Sequence, residues 1–338
     1  MPLSHTRSGF TIVELLAVVG IVGIAASLSN VAMNAGLPSA PAGARQPDKD
    51  AEKVRKDKDA GQPDAKDGKV DPALVAARAS ARQLKDATHI RGIQQSMAVW
   101  AQQNEGSYPL ASELDKAGAT VAGDAAAKNT TANIMSMLIF GGYISTELCI
   151  STAEANPNIK LDDDYILDRP VKAKDPVNAL WDPAFSADFT NGNTGNVSYA
   201  HLQPTGKRRD WWKDTYTATE AVVSNRGPEI ASVETAADGT QTAKTKINDS
   251  KTYLIHGEKD KWEGNVGYND GHVQFEVTLV GPSKDGMKHP NYKNKEGTTA
   301  RDCLFFDEPD DELPTRNLFL GIFTKAGKEV VEWKSIWD

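Results

Sequence analysis

A run of twenty residues from Phe10 to Ser29 carries one charge, the carboxylate of Glu14, and that acid constrains the chain more than any other feature. At 1.5 Å per residue the run reaches across the roughly 30 Å hydrocarbon core of a bilayer. A carboxylate at that depth costs about 2.5–3.5 kcal/mol even on a lenient insertion scale, so it calls for a partner. No Lys, Arg or His lies between Phe10 and Ser29. Cleavage after Gly9 would create one: the new α-amino group of Phe10 would sit at the depth of Glu14 in a neighbouring copy. Two plainer readings stand beside this. In one, His5 and Arg7 form the basic start of a secretory signal peptide cut near Ala25-Ala26-Ser27; in the other the run is an uncleaved anchor. Neither gives Glu14 a purpose.

At Gly9, Phe10, Thr11, Glu14, Leu15 and Leu16 the sequence resembles the type IV prepilins and the type II secretion pseudopilins. The resemblance implies a prepilin peptidase on the cytoplasmic face that cuts between Gly9 and Phe10 and N-methylates Phe10. It also implies that Glu14 pairs with the Phe10 amine of an adjacent subunit.

Arg7 and His5 precede the apolar run and no charge follows Glu14 before Pro41, so the positive-inside bias keeps the N-terminus in the cytoplasm and exports the remainder. The expected location is an inner membrane crossed once, with the C-terminal part extracytoplasmic. A net charge of −8 across 338 residues provides no basic field to attract nucleic acid. Only Cys149 and Cys303 are present, which excludes a disulfide-dense scaffold and a four-Cys zinc site. They could form one long-range bridge or remain two buried thiols.

Residues 35–71 are rich in Pro, Gly, Ala and balanced charge, with almost no large apolar side chain. Such a segment cannot bury enough surface to offset its ordering entropy and reads as a linker. The expected division is a leader over 1–9, a membrane and assembly helix over 10–34, a charged linker over 35–71 and one globular part over 72–338. Asp71-Pro72 forms an N-cap with proline at the first helical position, predicting one long helix from Ala73 to Gln103, ended by Gly106. Leu84, Ala87, Ile90, Ile93, Met97 and Trp100 supply its apolar stripe. A second helix is expected near Ala132 to Phe140. Short strands are expected at Val197 to His201, Tyr216 to Ser224, Thr252 to His256, Asn265 to Gly267, His272 to Leu279, Leu318 to Phe323 and Lys328 to Trp333. Together with the resemblance, the expected class is α+β and pilin-like. Its long N-terminal helix has a membrane half and a soluble half, interrupted by the linker, and packs on an antiparallel sheet.

Asn269-Asp270-Gly271 tolerates the positive φ that a tight hairpin needs, between alternating segments. With His272 and Val273 it resembles an Asp-Gly-His-Val signature found near the C-terminus of many pilin-like proteins. There an upstream histidine stands at a fixed, shorter spacing, whereas here the only upstream candidate is His256. Ser198-Tyr199, Cys149 and Asn225-Arg226-Gly227-Pro228 follow the same order as in those proteins. His256 and His272 with Asp270 lack the spacing of a zinc site. The acidic run at Asp307, Glu308, Asp310, Asp311 and Glu312 resembles the C-terminal Ca²⁺ loop of major pseudopilins, but it has no EF-hand spacing and also reads as a solvated loop. No other cofactor is expected. Trp211-Trp212 reads as core sooner than as an exposed stacking patch.

No Gly-x-Ser-x-Gly, phosphate-binding glycine loop or His-Glu-x-x-His is present, so an enzyme is not expected. The leading expectation is a filament subunit of a type II secretion or type IV pilus-like machine. Its partners would be the prepilin peptidase, other pilin or pseudopilin subunits and an inner-membrane assembly platform. The alternative is a membrane-tethered binding module that uses the motif only for export and anchoring. A hydrolase resting on scattered histidines is a third.

Overall fold

The computed structural model describes residues 71–237, 240–280, 291–293, 299–308 and 318–338. Gly9, Phe10, Glu14, the expected membrane helix and nearly all of the linker lie outside the described residues.

Helix α1, Pro72–Gln103, begins where its capping residues put it. The Asp71 side chain accepts the Ala73 N–H at 2.9 Å, and Pro72 needs no donor at the first turn. At the other end Gly106, at φ 81°, returns its N–H to the Ala101 carbonyl at 2.9 Å. Two short helices follow, α2 at Ala111–Leu114 and α3 at Thr131–Phe140. Helix α3 is capped by the Thr130 side chain, which accepts the Asn133 N–H at 3.4 Å.

The rest is built from strands: β1 Tyr199–Leu202, β2 Ala221–Asn225, β3 Ile230–Thr235, β4 Gln241–Thr245, β5 Gly264–Tyr268, β6 Val273–Glu276, β7 Asn291–Lys293, β8 Thr299–Arg301, β9 Leu320–Lys325 and β10 Lys334–Ile336. Six of them form one antiparallel sheet in the order β10-β9-β1-β2-β5-β6. The pairs β3-β4 and β7-β8 are separate hairpins. Every residue of β1, β2 and β5 is buried. Because successive side chains point to opposite faces, both faces of the central sheet are covered. Helix α1 lies across β2, β5 and β6, and α3 packs beside β9.

This architecture corrects the expected α+β, pilin-like class. Among the described residues helices are a minority, α1 is the one long helix, and the scaffold is the six-stranded antiparallel sheet with its two extra hairpins. The physical reason lies beyond Pro109, where Gly, Asn, Asp and Pro break the chain into segments too short for further long helices, so the strands set the architecture. The expected membrane half of a two-part helix falls outside the described residues.

Several elements also differ in detail. Thr252 to His256 was expected as a strand, but Tyr253–His256 is a single helical turn, here α4, whose N–H groups bond back to Ser250, Lys251 and Thr252. Lys328 to Trp333 contains a 3₁₀ turn at Val330–Glu332, and its strand begins only at Lys334. The hairpin β3-β4 was not foreseen. Among the described residues no helix is long and apolar enough to cross a membrane.

Candidate functional site

The signature turn closes the hairpin β5-β6, in which Gly267 pairs with Val273 and Asn265 with Phe275. Gly271 takes φ 84°, the left-handed conformation that favours glycine, and donates to the Tyr268 carbonyl at 2.8 Å. Asp270 accepts the His272 backbone N–H at 3.1 Å and also engages the His272 ring. That ring stacks on Tyr268 with centroids 4.5 Å apart. Asp270 and His272 remain partly exposed at the tip and serve each other.

Asn269 is buried and staples the turn to the body. Its amide donates to the Trp211 carbonyl at 3.0 Å and to Glu220 at 2.9 Å, while its oxygen accepts the Tyr108 hydroxyl at 2.8 Å. Helix α1 meets the same hairpin through Gln94, whose amide donates to the Tyr268 carbonyl at 2.7 Å. A Cβ at Gly267 would stand 2.5 Å from the amide end of that side chain, so a larger residue there would displace Gln94 from the Tyr268 carbonyl.

Deeper under α1 lies a charged cluster. Asp86 is wholly buried, and its carboxylate accepts from the Tyr199 hydroxyl at 2.5 Å, from His256 Nε2–H at 2.8 Å and from the Asn225 amide. Burial pushes the Asp86 carboxyl up, but hydrogen bonds from His256, Tyr199 and Asn225 outweigh it and hold the group below the usual carboxylate range. Burial, with Asp86 alongside, drives the Tyr199 hydroxyl far up, so it stays a donor. Asn225 accepts the Asn265 N–H at 2.7 Å and Asn265 donates to the Gln83 carbonyl at 3.2 Å. The cluster therefore ties α1, β1, β2, α4 and β5 together. Along one edge runs a pocket of about 250 Å³, lined among others by Ser80, Arg82, Gln83, His256, Glu263 and Phe275. Of Asp86 and its three donors, His256 is the one on that lining, with its side chain 3% exposed.

Other buried ionic groups lock loops, among them Lys128 with Asp115 at 3.0 Å. Arg226, in the expected turn after β2, holds Glu154 through two bonds and Asp338 at 2.5 Å. Arg208 holds Gln203 at 2.6 Å and also Asp307. Asp307, expected as a Ca²⁺ ligand, thus already faces a guanidinium, while Asp310 and Asp311 lie outside the described residues. Among the described residues no three acidic, His or Cys side chains converge as a metal site.

Cys149 and Cys303 are both buried and free, so no bridge joins them. Each sits in the apolar core, and burial pushes the Cys149 thiol up to about 12 and the Cys303 thiol well above its usual value. Trp212 is core, its indole donating to the Pro109 carbonyl at 3.1 Å, and Trp211 is half-buried against the same core.

Asp86, Tyr199 and Asn225 were not singled out as site residues in the sequence. Asp86 stands four residues before Ile90, on the buried stripe, where periodicity counts only apolar side chains. Leu84, assigned to that stripe, is 70% exposed. A carboxylate at a core-facing helical position, with an unassigned histidine elsewhere in the chain, was the available signal. Compared with known families, with curated proteins and with solved structures, the chain matches none.

Proposed function

We propose that the chain is a pilin- or pseudopilin-like filament subunit. In this reading a prepilin peptidase cuts it between Gly9 and Phe10, and an inner-membrane platform assembles it through its N-terminal segment into a type II secretion or type IV pilus-like filament. The observation that carries the reading is the lone Glu14 in twenty apolar residues directly after Gly9. Glu14 neutralises the Phe10 amine of the next subunit, so neither charge is left bare in lipid. The N-terminus stays cytoplasmic and the sheet domain is exported.

The described residues support this in two ways. Every residue from Asp71 to Arg82 is exposed, and among the described residues α1 meets the rest of the domain from Ala79 onward, so about two turns extend beyond that contact, with Leu74 and Val75 in water. A helical stem of that length is marginal alone and gains stability from neighbours. In addition, the bonds of the Asp86 cluster and of Asn269 are spent within the fold, as suits a scaffold. Glu14→Ala should leave cleavage at Gly9 intact yet abolish crosslinked oligomers through a cysteine placed at Val18. An unchanged ladder would sink the role of Glu14.

The polar pocket beside His256 favours a second reading, a tethered binding module that never polymerises. Monomers in the Val18→Cys crosslinking of the otherwise unaltered chain would select it.

A further inference from the structure

The exposed stem of α1 has a chemical character of its own. At 100° per residue, Leu74, Val75, Arg78, Ala81 and Arg82 fall within an arc of about 120°. The centre of that arc is rotated roughly 90° from the stripe carrying Asp86, Ile90, Ile93 and Met97, and the two meet at Val75, which shares the azimuth of Ile93. The Arg78 and Arg82 guanidinium groups form no ion pair among the described residues, and the face is apolar and basic.

Higher up the helix the same face is covered. At His89, Gly92 and Ser96, which share its azimuth, segment 143–150 lies on top. His89 Nδ1 meets the Ile150 carbonyl at 3.1 Å, Ser96 donates to the Tyr143 carbonyl at 3.0 Å, and Leu148 fills the space over Gly92. The cover stops near Arg82, whose carbonyl accepts the Thr152 hydroxyl at 3.5 Å. Below that point Leu74, Val75, Arg78, Ala81 and Arg82 are all exposed.

The covering segment also forms one wall of a groove. Ile139, Ile144, Leu161 and Leu167 line about 450 Å³ of space, with Glu147 and Asp163 at its margin. Leu161 is 43% and Leu167 61% exposed. Glu147, Asp163 and the adjacent Asp164 are exposed and form no ion pair among the described residues. The groove is thus apolar with an acidic rim, the complement of the exposed stem.

We propose that this groove seats the first turns of α1 from a second copy of the chain. Val75 and Leu74 enter between Leu161 and Leu167, and Arg78 and Arg82 meet Glu147, Asp163 and Asp164. The inference deepens the filament reading above and rests on it. The two patches differ and lie at different heights on one helix, so the contact is head-to-tail and generates an open array. With Arg78 and Gly92 fourteen residues apart, parallel copies are staggered by about 20 Å along α1. An amphipathic helix in an apolar groove with opposite charges at the rim is a recurrent mode of recognition, and the charges fix its register.

The test is crosslinking in membranes of cells expressing the full chain with a prepilin peptidase, using Val75→Cys together with Leu167→Cys and a short bis-maleimide. A ladder of oligomers is expected. Arg78→Glu with Arg82→Glu should weaken it about tenfold, and adding Glu147→Lys with Asp163→Lys should restore it. All these positions are exposed, so the melting temperature of the domain is expected to stay unchanged. A missing 75–167 product where Val18→Cys still gives ladders overturns the docking and leaves the filament reading standing. Loss of both products overturns both. A 75–167 ladder indifferent to charge reversal also overturns the proposal, because the pairing would then lack its specificity.

Discussion

Replacing Asp86 by alanine strips the acceptor from three donors at once. Each buried donor left without a partner costs about 1–3 kcal/mol. His256 lines the pocket, so water can reach it, but Tyr199 and Asn225 are sealed from solvent. Two stranded donors at the middle of that range amount to about 4 kcal/mol, a large fraction of the roughly 5–15 kcal/mol that holds a typical domain together. For a domain of this size that corresponds to a fall in Tm of roughly 8–16 °C. Urea denaturation of the domain beginning at Asp71, followed by tryptophan fluorescence, reads it directly. Asp86→Asn keeps one acceptor oxygen but turns an amide toward a donor, and should fall between wild type and Asp86→Ala. His256→Ala leaves the carboxylate two of its donors and should cost less than Asp86→Ala. The folded carboxyl lies below its usual range, so its contribution is present above pH about 4 and is lost as the pH falls through the lower folded value. A loss under about 1 kcal/mol for Asp86→Ala would show that solvent satisfies the cluster and would refute the reasoning.

Three further outcomes follow from other buried groups. The Phe323 N–H donates to Thr131 Oγ1, which donates to His201 Nε2, while His201 Nδ1–H donates to the Leu202 carbonyl. The ring is therefore neutral, and burial lowers its pKa to about 4. Nitrogen NMR should show the Nδ1–H tautomer at pH 6, and titration near pH 6.5 would contradict this. The folded base resists the proton that the unfolded chain accepts, so His201 alone removes about 3 kcal/mol of stability between pH 6.5 and 4. Gly267→Ala should cost about 1–3 kcal/mol by forcing Gln94 off the Tyr268 carbonyl, read as a shifted denaturation midpoint at unchanged slope. Cys149 and Cys303 should resist an aromatic disulfide reagent at pH 8 until the domain unfolds, and rapid labelling of the folded protein would contradict their burial.

Features governed by a few adjacent residues were legible in the sequence. The Asp71-Pro72 start and the end of α1 at Gly106 depend on local capping, and the turn at Asn269-Asp270-Gly271 depends on local φ preference. Features set by distant contacts were not. The central strands are covered on both faces, so Tyr199–Leu202 and Ala221–Asn225 show no clean alternation and their limits shifted. Tyr253–His256 has strand-forming residues, yet it closes as one helical turn that brings His256 to Asp86. Leu84 looked like core because only its spacing was visible, whereas the position that faces the sheet is Asp86, whose three partners lie 113, 139 and 170 residues away in the chain. The pairing of Asp307 with Arg208 is equally non-local.

The most direct test of the filament account is chemical. The full chain is expressed with a prepilin peptidase, and the N-terminal residue and intact mass of the membrane fraction are measured. The account predicts a mature chain that starts at Phe10 and carries one added methyl group, and only with an active peptidase. A chain starting near Ser27, or an unprocessed Met1 in the presence of that peptidase, would contradict it.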